Sequence, residues 1–453
     1  MSAAIDPPAP GASAALRLPL AEGPGSRIVV FDGHGRIPLD VFLAEVRGVA
    51  AGLPEAACVV NLCEDRYRFL VAFCAAAVRG MTTLLPPSRT PAAIEEVLAQ
   101  YPDSLCVSDV RLAPAPPRLH ALPERLPRLP GQSSTVAAGA IALVAFTSGS
   151  TGKPKPNPKT WAALRISTAQ NLAALDHLRA EAGDAQPIVA TVPPQHMYGM
   201  ELSVLLPLLA PLSVHGGRPF FPEDVARAVR EAGDPPLLVT TPVHLRALVE
   251  SQVALPPLAG IVTATAPLPQ ALAAAAEQRF GCEVHEMFGS TETCVIAVRR
   301  TARDAAWRCL PGVRLQPQPD GTLVHAAHLP VPMPLADLVE LRGEDGFVLC
   351  GRQSDLLEIA GKRASLGDLT RRLQSVPGVL DGVVLQLDAC DVTGVARIAA
   401  LAVAPGLDEA AILAALRESV DPVFLPRRLR LVDALPRNET GKLPRDALLR
   451  LLA

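Results

Sequence analysis

Short β-branched and apolar runs recur from Arg27 to about Val295, and helix-length amphipathic segments separate them: "RIVVF", "ACVVNL", "LCVSD", "IALVAF", "PIVATV", "LLVTT", "GIVTA" and "CEVHEMF". Strands spaced by helices cannot pair as hairpins. They read as an α/β fold of mostly parallel sheets covered by helices. One helix start is explicit, since Thr90 can cap and Pro91 suits the first helical position. The proline-rich stretch from 112 to 130 reads as a surface connection. From about 312 to 350 the pattern changes to alternating strands joined at "PDG" and "EDG", a β-rich subdomain with hairpin turns. Beyond Arg352 a small α+β unit is expected, with strands at "GVVLQL", "ARIAALAV" and "RLRLVD" and a helix at "DEAAILAALRES". The division expected is a large N-terminal domain over 1–353 and a small C-terminal domain over 354–453.

Composition narrows the function classes. With 453 residues, 49% of them hydrophobic and 19% charged, the chain has ample apolar surface for more than one core. A net charge of -3 supplies no basic field for nucleic acid or an anionic membrane. Nine scattered cysteines without a Cys-x-x-Cys suit neither a disulfide framework nor a zinc site, and a reducing cytoplasm is the expected compartment. The N-terminus carries Asp6 and several prolines, unlike a signal peptide. The weakly charged stretches at 199–216 and 254–276 are interrupted by Glu201 or by prolines, so no integral membrane segment is expected.

The run "IALVAF" leads into Thr147, Ser148, Gly149, Ser150, Thr151 and Gly152, then Lys153, Pro154 and Lys155. Consecutive N–H groups, several hydroxyls and permissive glycines suit phosphate oxygens. A run of small residues also serves as a plain loop. The Walker A arrangement is excluded, because Pro154 follows Lys153 where a helix would have to open. The segment resembles the phosphate loop of the adenylate-forming ligases, the superfamily of acyl-CoA synthetases, amino-acid adenylation domains and luciferases. There it takes the form Thr-Ser-Gly-Ser/Thr-Thr-Gly-x-Pro-Lys-Gly, and only the closing glycine departs, as Pro156.

Further segments resemble that family in order. "HEMFGSTET" resembles Tyr-Gly-x-Thr-Glu, with Phe288 in the tyrosine position, followed by Gly289, Ser290, Thr291 and Glu292. An aromatic face can stack on adenine, Thr291 can donate to a phosphate, and Glu292 offers a hard oxygen to Mg2+. "TATAPLPQAL" resembles Gly-Gly-Ala-Pro-Leu, with Ala264 and Thr265 for the glycines ahead of Ala266 and Pro267. "PPQHMYGMELS" matches Pro-x-x-His-x-x-Gly through His196 and Gly199, and with Tyr198 it would border the acid. It lacks the aspartate with which amino-acid adenylation domains hold an α-ammonium group, so an acid without an α-amine is expected. Asp337 in "PLADLVEL" stands where the family binds ribose. Arg352 in "GRQSDLLEIAGKRASLGDL" would bind ribose and phosphate, with Ser354 at the interdomain hinge. "LPRNETGKLPRDAL" resembles Pro-Arg-x-x-x-Gly-Lys-x-x-Arg, which makes Lys442 the mobile catalytic cation.

The resemblance implies ATP and Mg2+, the metal held at Glu292 and Thr147. It also implies a carboxylic acid activated as an acyl adenylate and passed to a pantetheine thiol of CoA or an acyl carrier protein. The loop and "PPQHMYGME" look most like the compact ligases of bacterial aryl-polyene and xanthomonadin-type pigment pathways, which implies an aromatic acid such as a hydroxybenzoate and a carrier-protein acceptor. A medium- or long-chain fatty acyl-CoA synthetase is the alternative. A non-catalytic acyl-adenylate-binding relative would be expected to lack Lys442 or Glu292, and both are present.

Overall fold

The computed structural model of the chain describes residues 16–148, 154–179, 185–319, 321–352, 356–359, 362–390, 396–437 and 443–452. Each of the apolar runs named above forms a strand. Most are buried on both faces, which explains why they read as continuous rather than alternating hydrophobic segments.

Two sheets carry the first three-quarters of the chain. In the six-stranded sheet, Ile141–Ser148 lies parallel to Thr82–Leu85, Cys58–Asn61 and Ser104–Ser108, with Leu119–Ala121 at one edge and Pro154–Thr160, antiparallel, at the other. Pro154, Pro156 and Pro158 alternate along that outer strand, so the positions in register with Thr147 and Ala145 remain Lys155 and Asn157. The eleven-stranded sheet has a parallel centre: Val284–Ser290, Gly260–Thr263, Leu237–Thr240, Gln186–Ala190, Leu212–His215 and Ile28–Asp32. Antiparallel strands flank it on both sides.

Alternate side chains of single strands enter different cores. Ile188, Leu237 and Val239 join the core between the sheets, together with the helices Leu39–Gly52, Arg66–Val78 and Trp161–Leu175. Val189, Leu238 and Ile261 face the opposite way, against the helices Pro222–Ala232, Pro242–Glu250 and Gln270–Phe280. The period-two alternation of a strand thereby builds two layers from one run.

The expected helix after Thr90 spans Pro91–Gln100, with proline at its start. Thr90 makes no side-chain cap, however: its hydroxyl is 2.9 Å from that of Ser88, a local hydroxyl pair that competes with the helix N–H groups. The proline-rich connection holds the edge strand Leu119–Ala121. Arg314–Gln318 pairs antiparallel with Gly321–His325, and the turn at "EDG" joins Asp337–Arg342 to Gly346–Arg352.

From Leu357 onward, side chains fill two further cores. They surround the sheet Asp381–Cys390, Ala396–Val403 and Arg428–Leu431 and the helices Leu366–Gln374, Glu409–Arg417 and Arg445–Leu452. No helix among the described residues is long and apolar enough to cross a membrane.

Candidate active site

In open parallel sheets, ligands bind beyond the carboxyl ends of the strands, where the connecting loops converge. Here the carboxyl ends of Gln186–Ala190, Gly260–Thr263 and Val284–Ser290 lead into the segments containing His196, Ala264–Pro267 and Thr291–Glu292. Ile141–Ser148 brings Thr147 from the other sheet. The Thr147 hydroxyl donates to Glu292 Oε1 at 3.4 Å, so residues 145 positions apart meet where the sheets face each other. Lys155 pairs in register with Thr147 and is exposed. Gly149, Ser150, Thr151, Gly152 and Lys153 lie outside the described residues, as do Ser354 and Lys442.

The turn that presents Thr291 and Glu292 is tied at both ends. Ser290 N–H donates to Thr293 Oγ1 at 3.0 Å, and Thr293 N–H returns to Ser290 Oγ at 3.2 Å. His328 Nε2 meets the Thr293 carbonyl at 2.8 Å. Burial pushes the His328 imidazole below its ordinary pKa. Gly289 is required by close approach: a Cβ there would stand 2.1 Å from the Cys294 carbonyl oxygen. Phe288 is half-buried in an aromatic cluster, its centroid 5.3 Å from that of Trp307 and 6.0 Å from that of Phe347.

Thr265 stands at φ 78°, the left-handed region in which a β-branched residue is rare. The segment keeps a glycine-like backbone although its side chain is threonine. Its far end is held by Glu286, whose Oε1 accepts Leu268 N–H at 2.9 Å. Arg299 donates to Glu286 Oε2 at 2.9 and 2.7 Å, and Thr301 donates at 2.8 Å. Asp337 and Arg352 are cross-strand partners in register, so the backbone brings two residues expected at the ribose opposite each other. Thr322 Oγ1 fixes the Asp337 carbonyl at 2.8 Å.

The "PPQHMYGMELS" segment follows the strand Gln186–Ala190. Half-buried His196 precedes the short helix Met197–Met200. Tyr198 is buried, and its hydroxyl donates to the Val262 carbonyl at 2.9 Å, which ties the segment to the sheet. Gly199 has a backbone role, since a Cβ would lie 2.0 Å from the Pro193 carbonyl oxygen.

Three buried charges escaped the sequence reading. Lys159 lies in the outer strand and donates through Nζ to the Glu292 carbonyl. Glu286 holds the Thr265 segment. Glu201, read from the sequence only as an interruption of an apolar stretch, is buried behind the site. Its carboxylate accepts from Ser167 Oγ at 2.7 Å, Asn171 Nδ2 at 3.0 Å and Val295 N–H at 3.2 Å. Burial raises its pKa, while these bonds and the nearby Lys159 charge oppose the rise. The sequence signal was a lone acid inside "MYGMELSVLLPLL".

Glu292 and Thr147 together form a pair of hard oxygen donors of the kind a magnesium ion takes.

The profile of the family described as AMP-binding enzyme matches residues 21–332. The 4-coumarate–CoA ligase of Rhodobacter capsulatus is 33% identical over 305 residues, covering 65% of this chain and 73% of its own length. A probable 2-succinylbenzoate–CoA ligase of Mycobacterium tuberculosis is 30% identical, covering 69% and 85%. The solved o-succinylbenzoate CoA synthetase of Bacillus subtilis, with its acyl-adenylate intermediate, superposes with a TM-score of 0.79 at 18% identity over 96% of this chain and 98% of its own; that likeness is one of fold.

Proposed function

The chain belongs to the AMP-binding enzymes, and from that premise we infer an AMP-forming ligase that joins a carboxylic acid to a pantetheine thiol. The observation that carries the reading is the 3.4 Å contact of Thr147 with Glu292, which brings the strand before the phosphate loop and the Thr-Glu turn to one point. A free carboxylate does not acylate a thiol. Its oxygen first attacks the α-phosphorus of ATP, releasing pyrophosphate and leaving a mixed anhydride. The thiol sulfur then attacks the acyl carbon, and AMP departs with the former anhydride electrons.

The protein's part is positioning and electrostatics. The loop after Thr147 holds phosphates, Asp337 and Arg352 hold ribose, and Phe288 lies along the base. Thr147 and Glu292 would hold Mg2+, which supplies positive charge to the phosphates. Lys159, by fixing the Glu292 carbonyl, sets where that side chain can point. Replacing Glu292 by alanine is therefore expected to lower activity about tenfold or more and raise the Mg2+ concentration needed for half-maximal rate. An unchanged metal dependence would remove Glu292 from this role.

The separate cores beyond Leu357 support a small domain over 354–453 that turns about Ser354 and serves both half-reactions. The acid is proposed to be aromatic. The names of the 4-coumarate and 2-succinylbenzoate ligases favour it, as does the side chain of Thr265 where a glycine would leave more room. A pigment-pathway role and a carrier-protein acceptor rest on the resemblance of the "TSGSTGKPKPNPKTW" and "PPQHMYGME" segments alone.

The deciding experiment is acid-dependent exchange of labelled pyrophosphate into ATP across aryl, short and long-chain acids, followed by thiolation with CoA or a phosphopantetheinyl carrier protein. Hydroxybenzoates and cinnamates are expected to outcompete palmitate. A preference for palmitate would reverse the substrate class, and no exchange with any acid would remove the enzymatic reading.

A further inference from the structure

Away from the nucleotide end of the same strand, three metal-ligating side chains converge. His177 lies in the 3-10 turn Asp176–Leu178 that follows the helix Trp161–Leu175. Glu283 and His285 flank Val284 where the strand Val284–Ser290 begins, and residues two apart on a strand share a face. The two Nε2 atoms are 3.2 Å apart. His285 Nε2 is 2.9 Å and His177 Nε2 3.7 Å from the same Glu283 oxygen, Oε2. We propose that His177, Glu283 and His285 form a binding site for a zinc-class divalent cation.

The geometry fits such an ion. A triangle with these sides has a centre about 1.9 Å from every corner, so an ion at ordinary zinc–nitrogen and zinc–oxygen distances sits just outside its plane, as three corners of a tetrahedron require. Two imidazole nitrogens and one carboxylate oxygen suit zinc, cobalt or nickel better than magnesium, which prefers oxygen alone. The carboxylate is already oriented. Arg300 Nη1 donates to Glu283 Oε1, while its other nitrogens hold Glu277 at 2.8 and 2.9 Å, which turns Oε2 to the histidines. Arg300 with Glu277 and Glu283 leaves one negative charge beside the rings. Without a cation, the facing nitrogens must share a proton instead. The ion would fasten the end of the helix Trp161–Leu175 to the strand that carries Phe288 and Gly289.

The test uses the full chain, freed of metal by chelation and titrated calorimetrically with zinc chloride in the absence of ATP. One zinc per chain is expected. His177→Ala and Glu283→Gln should each weaken uptake at least tenfold, and His34→Ala, at an exposed histidine elsewhere, should not. Zinc should raise the melting temperature of the parent and not of His177→Ala, while equimolar magnesium raises neither. The His177 side chain is 43% exposed, so its removal leaves the core intact. Cobalt bound in its place should give the visible absorption of a four-coordinate ion, lost with His177. No uptake at about 100 μM zinc, or uptake undiminished in His177→Ala, would overturn the proposal.

Discussion

Lys442→Ala is expected to slow adenylate formation about a hundredfold to a thousandfold, the result of losing a charge contact worth about 3–4 kcal/mol in the transition state. Lys442 lies outside the described residues, and the expectation rests on the resemblance of "LPRNETGKLPRDAL" and on the separate cores after Leu357. If the small domain brings this ammonium to the carboxylate and phosphate only while they join, thiolation of chemically supplied acyl adenylate should proceed near the parent rate. Two assays on one variant decide the matter. Equal loss in both would contradict the proposed alternation of the small domain.

Glu201→Ala is expected to cost about 3 kcal/mol of folding stability, read as a lower urea midpoint. The change strands Ser167 Oγ, Asn171 Nδ2 and Val295 N–H without their shared acceptor, and it removes the negative charge near Lys159. Ser167→Ala, which removes one donor, should cost about 1 kcal/mol. A loss below that in Glu201→Ala would show that the carboxyl carries nothing. pH supplies an independent readout. Because burial raises the carboxyl's pKa, the folded chain holds this proton more tightly than the unfolded one. The associated stability is present below the ordinary carboxylate range and is lost as pH rises through the raised value. The alanine variant should lack that decline.

What the sequence made legible follows from how local each signal is. Strands such as Gln186–Ala190 and Leu237–Thr240 could be found because burial on both faces writes an unbroken apolar run. The proline that opens Pro91–Gln100 is equally local. Thr90 misled because Ser88, two residues away, offers its hydroxyl another partner. The partner of the Tyr198 hydroxyl could not be read for a tertiary reason: the carbonyl that accepts it belongs to Val262, 64 positions on. Lys159 and Glu201 were invisible as site residues because a buried charge is explained only by partners on other elements, here Glu292 and Val295. Thr265 lies between these cases. Its substitution for a glycine could be read, but the retained left-handed backbone could be seen only in the fold.

The prolines of the outer strand Pro154–Thr160 bear on the protein's behaviour in concentrated solution. Their alternation places every missing N–H on the side turned away from Ile141–Ser148, so a passing chain finds no donors at 154, 156 or 158 on which to register. The outer strand Pro154–Thr160 is thus a poor template for growth of the six-stranded sheet from one molecule into the next. The proline spacing guards this edge against edge-to-edge aggregation while leaving Lys155 and Lys159 in place.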